Sequence, residues 1–133
     1  MKRLSNYALV IMLIAFSLSS CLPMEEMYYD ETFLIGKWER EYYSEDFEQN
    51  ILEYYRYYSD YTGKTWVPAD DVKEEEAQEF TWTLVNSDLT HIHIMESGGS
   101  GVPKVYTVTK LTASTLTYED DFGKSFTFSK VED

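Results

Sequence analysis

His91 and His93 stand two residues apart, so in an extended strand both imidazoles leave the same face. That spacing suits two of three zinc ligands. The chain holds only these 2 histidines, so a carboxylate would have to complete the set. The simpler expectation is two exposed imidazoles opposite a buried Ile92 and Ile94, with no metal and no cofactor. Glu74-Glu75-Glu76 concentrates carboxylates, yet no Asp-x-Asp-x-Asp-Gly spacing surrounds it; a solvated loop is expected rather than a calcium site. Ser97-Gly98-Gly99-Ser100-Gly101 lacks the following helix and the Lys-Ser or Lys-Thr ending of a phosphate cradle. It reads as a flexible hairpin connection or a barrel rim. Tyr54, Tyr55, Tyr57, Tyr58 and Tyr61 could stack on a sugar or an aromatic ligand, although tyrosine also favours strands and half-buried faces in its own right. No serine, cysteine or carboxylate falls into a recognisable catalytic constellation, and no enzyme activity is expected.

The remaining reactive side chain is Cys21, the single cysteine of the chain. It cannot form an internal disulfide, and an unpaired thiol in a secreted protein asks for a role. The residues before it supply one. Lys2 and Arg3 form a short positive start, and an apolar stretch runs from Tyr7 to Leu18. That length matches a signal-peptide core and falls short of the roughly 20 residues that a membrane-spanning helix needs. Leu18-Ser19-Ser20-Cys21 resembles the bacterial lipobox. The resemblance implies that residues 1–20 are a lipoprotein signal peptide and that Cys21 carries the lipid. Two or more acyl chains hold a protein to a membrane stably, where one does so marginally. Residues 21–32, with Pro23, Glu25, Glu26, Asp30 and Glu31, read as the lipidated cysteine and a flexible tether. Leu22 rather than Asp after the cysteine points to an outer-membrane site in the cell envelope, on either face.

Without residues 1–20 the chain keeps 113 of its 133 residues, enough for one domain. Lys2 and Arg3 leave with the signal, so 9 basic face 24 acidic residues, a net of −15. Nucleic acid is excluded as a partner by that balance, whereas a basic protein partner is compatible with it. Disorder, the usual alternative for an acidic chain, is opposed by 3 Trp, 12 Tyr and 7 Phe, most of them after residue 32 and on alternating positions.

That alternation defines eight strands. They are expected at Leu34–Tyr43, Ile51–Tyr58, Lys64–Val67, a run carrying Phe80, Trp82 and Leu84, then Leu89–Met95, Lys104–Lys110, Thr115–Glu119 and Lys124–Val131. Turn clusters at Ser59–Gly63, Asn86-Ser87-Asp88, Leu111–Ser114 and Asp120–Gly123 separate them. Pro68–Glu76 reads as a loop with room for a helical turn near Glu74. Eight short sequential strands can close as a barrel or stack as a two-sheet sandwich; closure removes both exposed edges and the short turns favour the up-and-down barrel, although one Greek-key crossover could still lie in Pro68–Glu76. The expected core is Leu34, Trp38, Trp66, Phe80, Trp82, Leu84, Ile92, Ile94, Tyr106, Val108, Leu116, Tyr118, Phe126 and Phe128. The fold class is therefore all-β, a single eight-stranded antiparallel barrel over residues 33–133.

Leu34-Ile35-Gly36-Lys37-Trp38, the Tyr57–Gly63 turn, Phe80-Thr81-Trp82-Thr83-Leu84 and Tyr106-Thr107-Val108 leading to Leu111-Thr112 and Leu116 occur in an order that resembles the lipocalin-like domains of lipoproteins from Bacteroides-type bacteria. The resemblance covers about residues 33–131. It implies an eight-stranded calyx in which the Trp of Gly-x-Trp, here Gly36 and Trp38, closes one end. The domain is shorter than a true lipocalin and lacks its C-terminal helix, so the interior is either an open cavity or filled by Trp and Phe. A small apolar or aromatic ligand is the leading expectation, with Trp38, Tyr54, Tyr58, Trp82 and Tyr106 as candidate contacts. The alternatives are an acidic interaction module, similar in general character to inhibitors of basic lysozyme, or an accessory subunit of an envelope complex.

Overall fold

A computed structural model describes residues 28–132. Residues 1–20, expected as a signal peptide, and Cys21 lie outside that range. The chain forms β1 (Gly36–Ser44), β2 (Gln49–Tyr57), β3 (Thr62–Trp66), β4 (Gln78–Val85), β5 (Asp88–His93), β6 (Lys104–Leu111), β7 (Thr115–Glu119) and β8 (Ser125–Val131). Each strand pairs antiparallel with the next, and β8 returns to β1, so the sheet closes as an up-and-down barrel in sequence order. The Pro68–Glu76 segment makes no crossover. It holds two short 3-10 turns, Pro68–Asp70 and Glu74–Glu76.

Short polar turns set the register. Asp60 Oδ1 accepts from the Thr62 amide and hydroxyl. Asp120 Oδ1 accepts from the amides of Phe122 and Lys124, and Gly123 supplies the left-handed residue (φ 78). Between β4 and β5 the turn is two residues long, Asn86-Ser87, with Asn86 at φ 55. A two-residue turn with positive φ matches the natural twist of a hairpin.

The two ends of the barrel differ. One carries the tight turns and the N-terminal segment. There Asp30 caps the 3-10 turn Glu31–Phe33, and the Trp38 indole N–H donates to Leu34 O at 2.8 Å. The Lys130 ammonium lies 4.6 Å from the Trp38 ring centroid and donates to the carbonyls of Phe33 and Ile35. This end is shut. The other end receives the 44–49, 67–77, 94–103 and 120–124 connections and is the open rim. The β1–β2 hairpin reaches past the barrel wall there. Lys37, Trp38 and Glu39 pair with Val131, Lys130 and Ser129 on β8, after which β1 has only β2 as a strand neighbour.

Side chains of alternate residues enter one interior. Trp38, Tyr57, Phe80, Trp82, Leu89, Val108, Leu111, Leu116, Tyr118 and Phe128 form its buried core with Leu34, and Tyr55, Leu84, Tyr106 and Phe126 pack against it. The interior is thus filled by aromatic rings. Two expectations for the core need correction. On β5 the inward face carries Leu89, His91 and His93, while Ile92 and Ile94 are half-buried on the outer face. The cause is register: Trp82 lies across from His91 and Phe80 across from His93, and directly opposed residues share a face. Trp66 is buried but stands outside the barrel core. It pairs with the outward Tyr54 and stacks on its ring at 5.2 Å, beside the Pro68–Glu76 segment.

Candidate functional site

The open rim presents a cleft of about 380 Å³ lined by Lys104, Val105, Tyr106, Asp120, Phe122 and Phe126 among others. β6 supplies Lys104 and Tyr106, and β8 supplies Phe126. The Asp120–Lys124 turn supplies Phe122, which is 95% exposed. Tyr106 is half-buried and stands 4.5 Å from the Tyr118 ring and 6.3 Å from Phe126. Burial, and after it the charges of Asp120 and Glu53, raises its pKa, so its phenol stays neutral and can donate.

An ion pair occupies the same end. Arg40 Nε donates to Glu53 Oε1 at 2.6 Å, and the two side chains are each 16% exposed. The guanidinium carbon lies 4.5 Å from the Tyr42 ring and 5.0 Å from Phe126. Lys124 approaches Phe126 to 5.1 Å. Cation and ring attract through the ring quadrupole, and more strongly where water is thinned out.

Below the rim lies a buried polar pair. Tyr57 Oη and His91 Nε2 are 2.8 Å apart. His91 is fully buried and holds the buried side-chain atom without a hydrogen-bond partner among the described residues, its Nδ1. An unpaired buried donor or acceptor costs about 1–3 kcal/mol. Burial, with lesser contributions from His93 and Lys104, lowers the His91 pKa to about 3. The ring is therefore neutral at ordinary pH. Burial likewise lifts the Tyr57 hydroxyl well above its usual range. His93 is partly buried and its pKa is also lowered, first by burial. Among the described residues no group of three or more His, Cys, Asp or Glu is arranged to hold a metal ion.

The five residues nominated as ligand contacts do not share one cavity. Trp38 and Trp82 are buried in the core, with Trp82 Nε1 donating to Thr62 O at 2.9 Å. Tyr54 faces outward onto Trp66. Tyr58 sits at the turn of the shut end. Tyr106 alone of the five lines the rim cleft. Phe122, Phe126 and Lys104 escaped the sequence reading as site residues, as did the Tyr57–His91 pair. The signal for Phe122 was present: a phenylalanine beside Gly123 in a polar turn has no strand to bury it. A second hollow of about 780 Å³ between the 65–79 and 94–98 stretches is lined by Trp66 and the carboxylates Asp70, Glu76, Glu79 and Glu96.

These features define a small closed antiparallel barrel with a packed aromatic interior and one aromatic-lined rim. Comparison of the chain with protein-family models, curated proteins and solved structures gives no match. Among the described residues no helix is long and apolar enough to cross a membrane.

Proposed function

We propose that this chain is a lipid-anchored envelope protein whose barrel, lipocalin-like in character, binds a small aromatic or apolar ligand at its open rim without catalysing a reaction. The observation that carries the reading is the rim cleft, where Tyr106, Phe122 and Phe126 offer ring surface beside Lys104 and Asp120. Binding pockets combine apolar walls with a few placed polar groups, and an exposed Phe at a turn tip has no packing role to explain it. The described chain begins at the shut end, opposite the rim. The anchor at Cys21 rests on the lipobox resemblance, and outer-membrane placement on Leu22 rather than Asp after the cysteine.

Native mass spectrometry of the protein from its own host reads a retained ligand directly. In parallel, the chain after Ser20, made with Cys21→Ser, is titrated with the neutral fluorophore N-phenyl-1-naphthylamine. Phe126→Ala and Phe122→Ser are expected to weaken binding about 3- to 10-fold, as the loss of one ring contact each. No retained ligand, together with fluorophore binding indifferent to both substitutions, refutes the reading. For the anchor, Cys21→Ser in the host should abolish incorporation of labelled palmitate.

A second reading draws on the exposure of Phe47, Met95, Val102 and Phe122, all on rim connections. Exposed apolar tips on a chain of net −15 fit an interaction module for a basic protein. Lysozyme inhibition and low-salt capture of basic proteins test it, and the absence of both removes it.

A further inference from the structure

The neutral His91 ring can pair with Tyr57 in two ways. If Nε2 accepts the Tyr57 proton, Nδ1 carries the remaining hydrogen and that N–H is the one unmet group. If Nε2–H donates to Tyr57, both Nδ1 and the tyrosine hydrogen lack a partner. The first arrangement wastes one hydrogen bond and the second wastes two, so the assignment that buries fewest unmet groups places a free N–H donor at Nδ1. Dry surroundings make that donor strong once an acceptor arrives.

Its neighbours are rings. Phe80, Tyr106, Tyr55 and Tyr118 have centroids 4.8, 5.3, 5.6 and 6.2 Å from the imidazole. Of these, Tyr106 also lines the rim cleft, so its phenol stands between His91 and solvent. No side-chain hydrogen bond among the described residues holds the Tyr106 hydroxyl, and its ring is half-buried. Turning it into the cleft breaks no polar contact, and tyrosine tolerates a wet hydroxyl. The space it leaves is the size of one phenol, walled by Tyr118, Phe126 and His91.

We propose that Tyr106 is a plug and that the ligand of this barrel takes its place: a planar one- or two-ring aromatic bearing a hydrogen-bond acceptor that receives the proton of His91 Nδ1. The proposal rests on the reading of the rim as a ligand site and adds its inner wall and recognition atom. Ring replaces ring, so stacking is conserved, and the bond to His91 is the surplus. An aromatic of equal shape without an acceptor gains only the stacking.

Quinoline and naphthalene are the probes, equal in outline and differing by one acceptor nitrogen. Titrated into the chain after Ser20 at pH 7.5, quinoline is expected to bind about 10-fold tighter, the size of one added hydrogen bond. In protein labelled with ¹⁵N-histidine, quinoline and not naphthalene should shift the His91 Nδ1 resonance. Tyr106→Ala should tighten both probes. Tyr57→Phe/His91→Phe removes both polar partners while keeping ring volume, and should equalise the two affinities. Equal binding of both probes, each weakened by Phe126→Ala, leaves the rim site standing and overturns the role of His91. Failure of both probes to bind, in the unaltered protein and in Tyr106→Ala alike, overturns the ligand-site reading itself. The nitrogen resonance in the unaltered protein decides the matter even where the double variant does not fold.

Discussion

Gly63→Ala probes how tightly the interior around His91 is filled. Gly63 faces inward between Tyr57 on β2 and Phe80 on β4. A Cβ there would lie 2.6 Å from the Arg56 carbonyl oxygen and from Phe80 Cε2, and nearer still to Phe80 Cζ. Ordinary contact begins at 3.4 Å, so the shortfall from 3.4 to 2.6 is 0.8 Å against the carbonyl and more than that against the Phe80 ring. The Phe80 ring cannot retreat freely, because Tyr57, Tyr55 and His91 stand 5.5, 5.9 and 4.8 Å from its centroid. The carbonyl belongs to a paired strand and cannot retreat either. Overpacking a filled core by one carbon costs about 1–3 kcal/mol, and two rigid neighbours place this site near the upper figure. At about 4 °C per kcal/mol for a domain of this size, the melting temperature should fall by about 12 °C in circular dichroism. Phe80→Leu shortens the ring side of the clash. Gly63→Ala/Phe80→Leu should therefore lose less than the sum of its parts, by about 1–2 kcal/mol in urea unfolding. A melting temperature unmoved by Gly63→Ala, or additivity within about 0.5 kcal/mol, would show that glycine and ring do not compete for the same space.

Acid stability carries the signature of His91. Its folded pKa of about 3 lies below the unfolded value of 6.5, so the unfolded chain binds the extra proton between those values. Stability from this group is complete above pH 6.5 and is lost as pH falls toward 3. Between pH 6.5 and 4.5 the loss should be about 2 kcal/mol. Unfolding free energies from urea curves of the protein and of Tyr57→Phe/His91→Phe should diverge by that amount as pH falls, and parallel pH dependences would contradict a buried neutral imidazole. For the rim ion pair, Glu53→Gln strands the Arg40 charge at 16% exposure and should cost about 2 kcal/mol, while Arg40→Met/Glu53→Met should cost less than that single change. A double variant less stable than Glu53→Gln would show that the pair is a net source of stability. Amide hydrogens of Arg40–Ser44 should exchange faster than those of Lys37–Glu39 by NMR, since only the latter stretch is held on both sides; uniform protection along β1 would count against that difference.

The strand count, the order of strands and most of the core were legible because large apolar residues recur at every second position between turn clusters. The shut end at Trp38 was not legible from that alternation; only the Gly-x-Trp resemblance, at Gly36 and Trp38, suggested it. β5 was not legible. Taking Asn86-Ser87-Asp88 as the turn sets Ile92 across from Trp82, whereas the two-residue turn Asn86-Ser87 sets His91 there. One residue of slip exchanges the two faces of a strand, and the hydrophobicity of Ile92 and Ile94 favoured the wrong one. Leu89, which shares a face with His91, pointed the other way. Trp66 was misplaced because a nine-residue segment, rather than the opposite barrel wall, buries it. The rim cleft was illegible for a different reason: its walls come from β6, β8 and the turn before β8, and only closure brings them together.

The parting of β1 from β8 beyond Glu39 and Ser129 gives the cylinder a zip that is fastened at one end only. Where the strands part, the Arg40 guanidinium lies over Phe126 and Phe128, so one charged side chain stands in for the missing backbone rungs, and its removal should let water reach those two rings before Trp82 or Leu116.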